Sequence, residues 1–146
     1  MDEYSDWLSK TLSAMELYEK NCKPVLIKHG LSQTEVDILS FLHYNPHLDN
    51  AKDIVELRGL PKANVSQGVE SLVQKELLTR TQDKRDRRRI HLLLTAKVAL
   101  VMNDIDEVRK GFIEKLLKDF SPEERDIYAK MNRRVSKNVL DALGGN

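Results

Sequence analysis

Residues 60–95 read LPKANVSQGVESLVQKELLTRTQDKRDRRRIHLLLT. The first half has a helical period: Val65, Val69, Leu72 and Val73 fall four, three and one apart between Leu60 and Lys75. Pro61 suits the first turn, where its fixed φ fits and its missing N–H goes unused. The second half alternates instead. Leu77 to Gln82 and Arg89 to Thr95 read as two strands, the latter setting Ile90, Leu92 and Leu94 against His91, Leu93 and Thr95. Asp83-Lys84-Arg85-Asp86-Arg87-Arg88 lies between them, too charged to bury, so it projects. Arg80 to Arg89 holds six basic residues in ten positions. A helix followed by a hairpin with a basic tip can lay the helix in the major groove of DNA and press the tip on the neighbouring backbone or minor groove.

The flanking sequence supplies the rest of such a lobe. Ala51 to Arg58 reads as a short third helix carrying Ile54, Val55 and Leu57, and Gly59-Leu60-Pro61 turns the chain into the fourth, a helix-turn-helix pattern. The face opposite the apolar stripe of that fourth helix shows Ala63, Asn64, Gln67, Glu70, Ser71 and Gln74. Upstream, Ser32-Gln33-Thr34-Glu35 is a capping box that opens a second helix through Val36, Leu39 and Leu42, closed by Asn45-Pro46. The first helix, from Tyr4 to about His29, carries a narrow stripe of Leu8, Met15, Tyr18, Cys22 and Val25. Pro24 is expected to kink or interrupt it, and Gly30 ends it. After the strands, Ala96 to about Asp119 keeps Val98, Val101, Ile105, Val108 and Phe112 in step. A second box, Ser121-Pro122-Glu123-Glu124, then opens a last helix through Tyr128, Met131, Val135 and Val139, and Gly144-Gly145-Asn146 reads as a frayed tail.

Bulk properties bound the function. A chain of 146 residues is one domain's worth. Its net charge of +1 is unevenly spread: residues 51–95 hold 10 basic and 6 acidic side chains, residues 1–50 hold 4 and 8, and residues 96–146 hold 10 and 9. The excess lies where the helix and basic loop lie. The single cysteine, Cys22, excludes an internal disulfide, and its place on the apolar stripe makes it a small buried hydrophobe. His43 and His47 are four apart, but Pro46 breaks the helix that metal spacing would need, so no metal and no cofactor are expected. The acidic start, Met1-Asp2-Glu3, is unlike a signal peptide, and the longest apolar run, Val98 to Met102, is far too short to span a membrane, so a cytoplasmic protein is expected. There is no HExxH, nucleophile elbow, P-loop or glycine-rich dinucleotide turn, so no enzyme is expected.

Leu72-Val73-Gln74-Lys75-Glu76-Leu77-Leu78-Thr79-Arg80, then Asp86-Arg87-Arg88 and the Leu94-Thr95 pair, resemble the end of the recognition helix, the wing and the entry to the long dimerisation helix of the MarR family of winged helix-turn-helix transcription regulators. The fold class is thus expected to be mainly α (α+β): a winged helix-turn-helix with a two-stranded wing, plus terminal helices forming a dimerisation domain. The resemblance implies a homodimer clasped through residues 1–30 and 96–146, with a DNA-binding lobe at 31–95, and a palindromic operator in double-stranded DNA with half-sites about 10–10.5 bp apart. It also implies a ligand-responsive repressor, with a small aromatic or anionic effector between the dimer helices and the lobe. Two departures stand out: the fourth helix lacks the usual Ser/Thr/Asp cap, and Glu70 would repel phosphate unless it accepts from a cytosine amine.

Asn64, Ser66, Gln67 and Ser71, with Lys62 at the helix start, are the candidate contacts of the recognition helix, since Asn and Gln pair two-pronged with adenine and Ser or Lys reach phosphate. In the wing, Arg88 is the candidate for minor-groove insertion, oriented by Asp86; Lys84, Arg85, Arg87 and Arg89 are interchangeable candidates of which one or two are expected to touch phosphate, Arg89 having a pair with Asp83 as its alternative. Leu8, Met15, Tyr18, Tyr128, Met131, Val135 and Val139 are the candidate dimer contacts. The competing reading is a winged-helix module whose basic wing meets an acidic protein partner.

Overall fold

The computed structural model describes residues 1–144, so Gly145 and Asn146 of the expected frayed tail lie outside the described residues. Its elements follow the order α1 (Glu3–His29), α2 (Gln33–Tyr44), α3 (Ala51–Asp53), a π-helical turn (Ile54–Arg58), α4 (Lys62–Gln74), β1 (Leu78–Gln82), β2 (Ile90–Leu94), a 3-10 turn (Ala96–Val98), α5 (Ala99–Leu116) and α6 (Pro122–Ala142). They pack as two units, one spanning residues 1–112 and one beginning at Ile113.

In the first unit α2 is the centre, because every residue from Glu35 to Leu42 is buried. Its capping box is complete: Ser32 Oγ accepts from the Glu35 N–H at 3.1 Å and Glu35 Oε1 accepts from the Ser32 N–H at 3.0 Å. Pro24 does not interrupt α1, which runs on to a left-handed Gly30 with φ 63°. Pro24 and Lys20, whose carbonyl loses its usual donor, are both exposed, so water can hydrate that carbonyl and the break expected inside a packed helix does not arise. The expected third helix starts as one α turn capped by Asn50 at 2.9 Å, then widens into a π turn that carries the fully buried Ile54 and ends at Gly59 with φ 74°. Pro61 sits one residue before α4, as an extended cap without a side-chain bond, rather than within the first turn.

The buried stripe of α4 is Val65, Gly68, Val69 and Leu72. Gly68 is there for closeness: a methyl carbon at that position falls 2.6 Å from Ile38 Cδ1 and 3.3 Å from Thr34 Cγ2. Ile38 is fully buried, so its Cδ1 gives way only by displacing packed neighbours. Gly68→Ala is therefore expected to push α4 off α2 and to cost about 1–3 kcal/mol despite alanine's better helix propensity. Urea unfolding checks this, since a midpoint equal to or above that of the parent chain contradicts the close approach.

The strands pair antiparallel, from Leu78 opposite Leu94 to Gln82 opposite Ile90. Each is shorter than its sequence pattern, yet the flanking positions still bond: Thr95 N–H reaches the Leu77 carbonyl at 3.1 Å and Asp83 N–H the Arg89 carbonyl at 2.9 Å. On the outer edge of β2, the Leu92 N–H donates to the Asp49 carbonyl at 2.7 Å, which ties the sheet to the segment after α2. Leu78 and Leu92 point into one core with Val25, Leu39, Ile54, Val65, Leu72, Val101 and Ile105.

In the second unit, the box at Ser121 is also complete, at 3.1 Å and 2.8 Å, with Pro122 in the first helical turn. Arg125 grips Glu114 with both guanidinium nitrogens at 3.0 Å and 3.1 Å, and Tyr128 meets Phe120 edge to face. No residue of α6 is buried.

Candidate nucleic-acid interface

Because Val65, Val69 and Leu72 face inward, α4 turns Lys62, Asn64, Ser66 and Gln67 to solvent. Asn64, Gln67 and Gly68 of α4 edge a hollow of about 380 Å³ together with Ser32 and Thr34 at the start of α2. Ser71 is placed differently. It is half-buried, and its hydroxyl donates to Glu35 Oε2 at 2.9 Å, so it is engaged within the lobe.

Glu35 is the hub of that contact. Lys75 Nζ donates to its two oxygens at 3.0 Å and 2.9 Å and to the Gly30 carbonyl at 3.0 Å. Burial opposes the charge of Glu35, but the hydrogen bonds from Lys75, Ser32 and Ser71 outweigh it and hold the carboxyl below its ordinary value. One buried carboxylate thereby ties the start of α2 to the end of α4. Glu70, the residue at odds with a phosphate-facing helix, is paired with Arg80 of β1 at 2.9 Å.

The wing turn is folded on its own carboxylates. Asp83 Oδ1 accepts from the N–H groups of Arg85 at 2.7 Å and Asp86 at 2.9 Å, an Asx turn. Asp86 Oδ1 accepts from Arg88 twice, from its N–H at 3.0 Å and its Nε at 3.3 Å, which is the expected orienting contact. Gln82 Nε2 adds a bond to the Arg87 carbonyl at 2.8 Å. With both acids so engaged, Lys84, Arg85, Arg87, Arg88 and Arg89 all remain exposed, the Arg88 side chain by 93%. The alternative Arg89–Asp83 pair is not formed. The second oxygen of Asp83 meets His91 Nε2 at 2.8 Å instead, so both carboxylate oxygens are engaged by other partners. The other ring nitrogen of His91, Nδ1, lies 2.8 Å from Asp49 Oδ2. The Asp86 N–H, His91 and the Arg85 N–H hold the Asp83 carboxyl down to about 2, and Asp83 and Asp49 push His91 up from its ordinary value.

A second cavity, of about 350 Å³, lies within the first unit between Tyr18 of α1, Asp37, Ser40 and Phe41 of α2, Arg58 of the π turn and Arg109 of α5. Asp37 is buried and meets Arg58 at 3.2 Å. Burial outweighs that cation and pushes the Asp37 carboxyl up. Arg109 stacks 3.7 Å above the Tyr44 ring. The Ser40 hydroxyl is buried with no hydrogen-bond partner among the described residues. Burial and the neighbouring Cys22 raise the Tyr18 phenol to about 12, and burial pushes the Cys22 thiol up as well, the reverse of what a reactive thiolate needs.

Of the candidate dimer contacts, Leu8 and Tyr18 are half-buried, with Tyr18 edge-on to Phe112 at 5.5 Å, while Met15, Tyr128, Met131, Val135 and Val139 are exposed. Sequence reasoning missed Asp49, His91 and Arg80. The Asp83 turn did have a local signature, an acid two and three residues before the amides it caps, whereas Asp49 and His91 are 42 residues apart and share none.

A sequence profile described as the MarR family matches residues 29–89. The HTH-type transcriptional regulator MhqR of Bacillus subtilis (strain 168) is 31% identical over 112 residues, covering 77% of this chain and 77% of that protein. Two solved structures share the fold. A MarR protein from Peptoclostridium difficile is 24% identical and superposes with a TM-score of 0.76 over 97% of this chain and 91% of that one. Bordetella bronchiseptica BpsR, whose regulation of DNA binding by 6-hydroxynicotinic acid has been studied structurally, is 18% identical with a TM-score of 0.69 over 92% of this chain and 99% of that one.

Proposed function

This chain belongs to the MarR family of HTH-type transcriptional regulators, and on that premise we propose that it is a ligand-responsive repressor that binds a palindromic operator in double-stranded DNA as a homodimer. In this reading residues 31–95 form the DNA-binding lobe, with α4 in the major groove and the wing at the adjacent minor groove, and residues 1–30 and 96–146 join two copies. The protein acts in the cytoplasm and catalyses no reaction. Among the described residues, no helix is long and apolar enough to cross a membrane.

One observation supports the DNA reading above the others: the acids of the wing are spent on folding its turn, which leaves five exposed cations on the wing, while Asn64 and Gln67 are exposed on α4. The Arg80–Glu70 pair weakens the alternative of an acidic protein partner, since Glu70 no longer places an uncompensated negative charge on the DNA-facing helix. The cavity at Ser40 suits a small aromatic or anionic effector, because it offers a buried hydroxyl with no partner among the described residues and the Arg109 guanidinium, Arg58 being paired with Asp37.

Anisotropy on a palindromic fragment from the promoter beside the gene tests the proposal. With about six phosphates contacted, log K is expected to fall against log salt with a slope of about −0.9 per phosphate. A flat salt dependence on that fragment rejects it.

A further inference from the structure

We propose that His91 is the positioning residue of the wing: it fastens Asp83, on which the wing turn is folded, to Asp49 behind α2, and so makes DNA binding depend on pH. The inference rests on the reading of the wing as a DNA contact.

The connection is an unbroken series of short contacts. Asp49 is itself fixed, because its carbonyl accepts the Leu92 N–H at 2.7 Å while its carboxylate meets His91 Nδ1 at 2.8 Å. His91 Nε2 meets Asp83 at 2.8 Å, and Asp83 holds the amides of Arg85 and Asp86. Asp86 in turn holds Arg88 through its N–H and its Nε. The half-buried imidazole thus joins the body of the lobe to the loop that aims Arg88.

Both ring nitrogens face carboxylate oxygens, so both must carry hydrogen for both contacts to attract. Only the imidazolium does. A neutral ring keeps one N–H and turns a lone pair toward the other carboxylate. The titratable groups that act on His91 are Asp83 from the wing and Asp49 from the segment after α2; opposite it on β1 stands the uncharged Thr81, and Arg89 and Ile90 precede it on β2. Both acids raise its pKa, so the clamp is complete below the ordinary histidine value of about 6.5 and loses one end as pH rises through the higher value in the fold. Asp83, held at about 2, stays ionised across that window and supplies no competing transition.

The test follows the full-length chain by NMR and by anisotropy on the palindromic fragment at constant ionic strength, from about pH 5.5 to about pH 8.5. The amide signals of Arg85, Asp86 and Arg88 are expected to shift with the same midpoint as the His91 ring. DNA affinity is expected to fall roughly fivefold through that midpoint, the size of one ordinary hydrogen bond lost. His91→Gln should remove this component of the profile, and Asp49→Asn, which leaves the wing residues untouched, should move the midpoint to lower pH. Wing amides that ignore the His91 titration overturn the proposal, as does one pH profile shared by the parent chain, His91→Gln and Asp49→Asn. If the parent chain binds no DNA at any pH, the repressor reading falls, and the amide titration still decides whether His91 positions the wing.

Discussion

Met131→Asp combined with Val135→Asp is expected to yield a monomer that binds a two-half-site operator roughly 10²–10⁴-fold more weakly than the parent chain. The reasoning starts from α6, where Tyr128, Met131, Val135 and Val139 recur every three or four residues and stay 37%, 40%, 51% and 50% exposed. A helix with an apolar stripe and no buried residue has not found its partner surface within its own chain. α1 shows the same trait at Tyr4, Leu12 and Met15. A second copy covers such stripes at little cost in specificity, because a two-fold axis presents each patch to its own image. Two carboxylates in each stripe place four unpaired charges near that axis, and the two lobes then meet their half-sites independently, without the high effective concentration that tethering gives. Sedimentation gives the mass and anisotropy the affinity. A variant that stays dimeric with unchanged affinity contradicts the proposed assembly, whereas a monomer with unchanged affinity contradicts only the need for two lobes.

Arg88→Ala carries the second large effect, about tenfold in DNA affinity for each wing and roughly 100-fold for a dimer whose two wings act independently. Arg88 is the most exposed member of the wing for which a side-chain contact is defined, and that contact, to Asp86, constrains its direction without covering it. Arg88→Lys is expected to fall between parent and alanine, since lysine keeps the charge but lacks the planar Nε–H that Asp86 holds. The sequence dependence separates two kinds of contact. Insertion into the minor groove predicts that alanine loses the preference for narrow, A·T-rich flanks. A simple phosphate contact predicts a uniform loss and a salt slope shallower by about one for each wing. Equal affinity of the arginine and alanine forms removes the wing from the interface.

Features governed by near neighbours along the chain are legible in the amino-acid sequence. The boxes at Ser32 and Ser121 are three-residue rules of side chain and backbone, and both form as the sequence predicts. The stripes of α4 and α5 follow from a period, and the strands from alternation. Pro24 misleads because the penalty of a helical proline depends on whether the orphaned carbonyl is dry, which one sequence does not reveal. The widened turn after Asp53 leaves no mark in the pattern of Ile54, Val55 and Leu57. Within the site, the exposed residues of α4 and the Asp86–Arg88 contact are accessible to such reasoning, but the partners of Asp83, Glu70 and Ser71 are not. The decisive contacts join segments far apart in the chain: Ser71 to Glu35 across 36 residues and His91 to Asp49 across 42. Local chemistry names which groups need partners; only the packing of α2, α4 and the sheet decides which ones they meet.

Glu76 stands between α4 and β1 with φ 63°, a left-handed corner that a side-chain-bearing residue adopts only when its surroundings insist. Three bonds do so here: the Leu77 N–H closes back on the Leu72 carbonyl at 3.0 Å, the Thr95 hydroxyl donates to the Glu76 carbonyl at 2.7 Å, and Lys97 Nζ reaches the Lys75 carbonyl at 3.2 Å. Helix and hairpin therefore behave like the two arms of a set square. In the proposed complex a tip held in this way follows a displaced groove poorly, so the distance along the duplex between a site's base-reading step and its flank of compressed minor groove is expected to be a selected quantity in its own right. Operators with the correct letters and the wrong interval are then expected to bind more weakly.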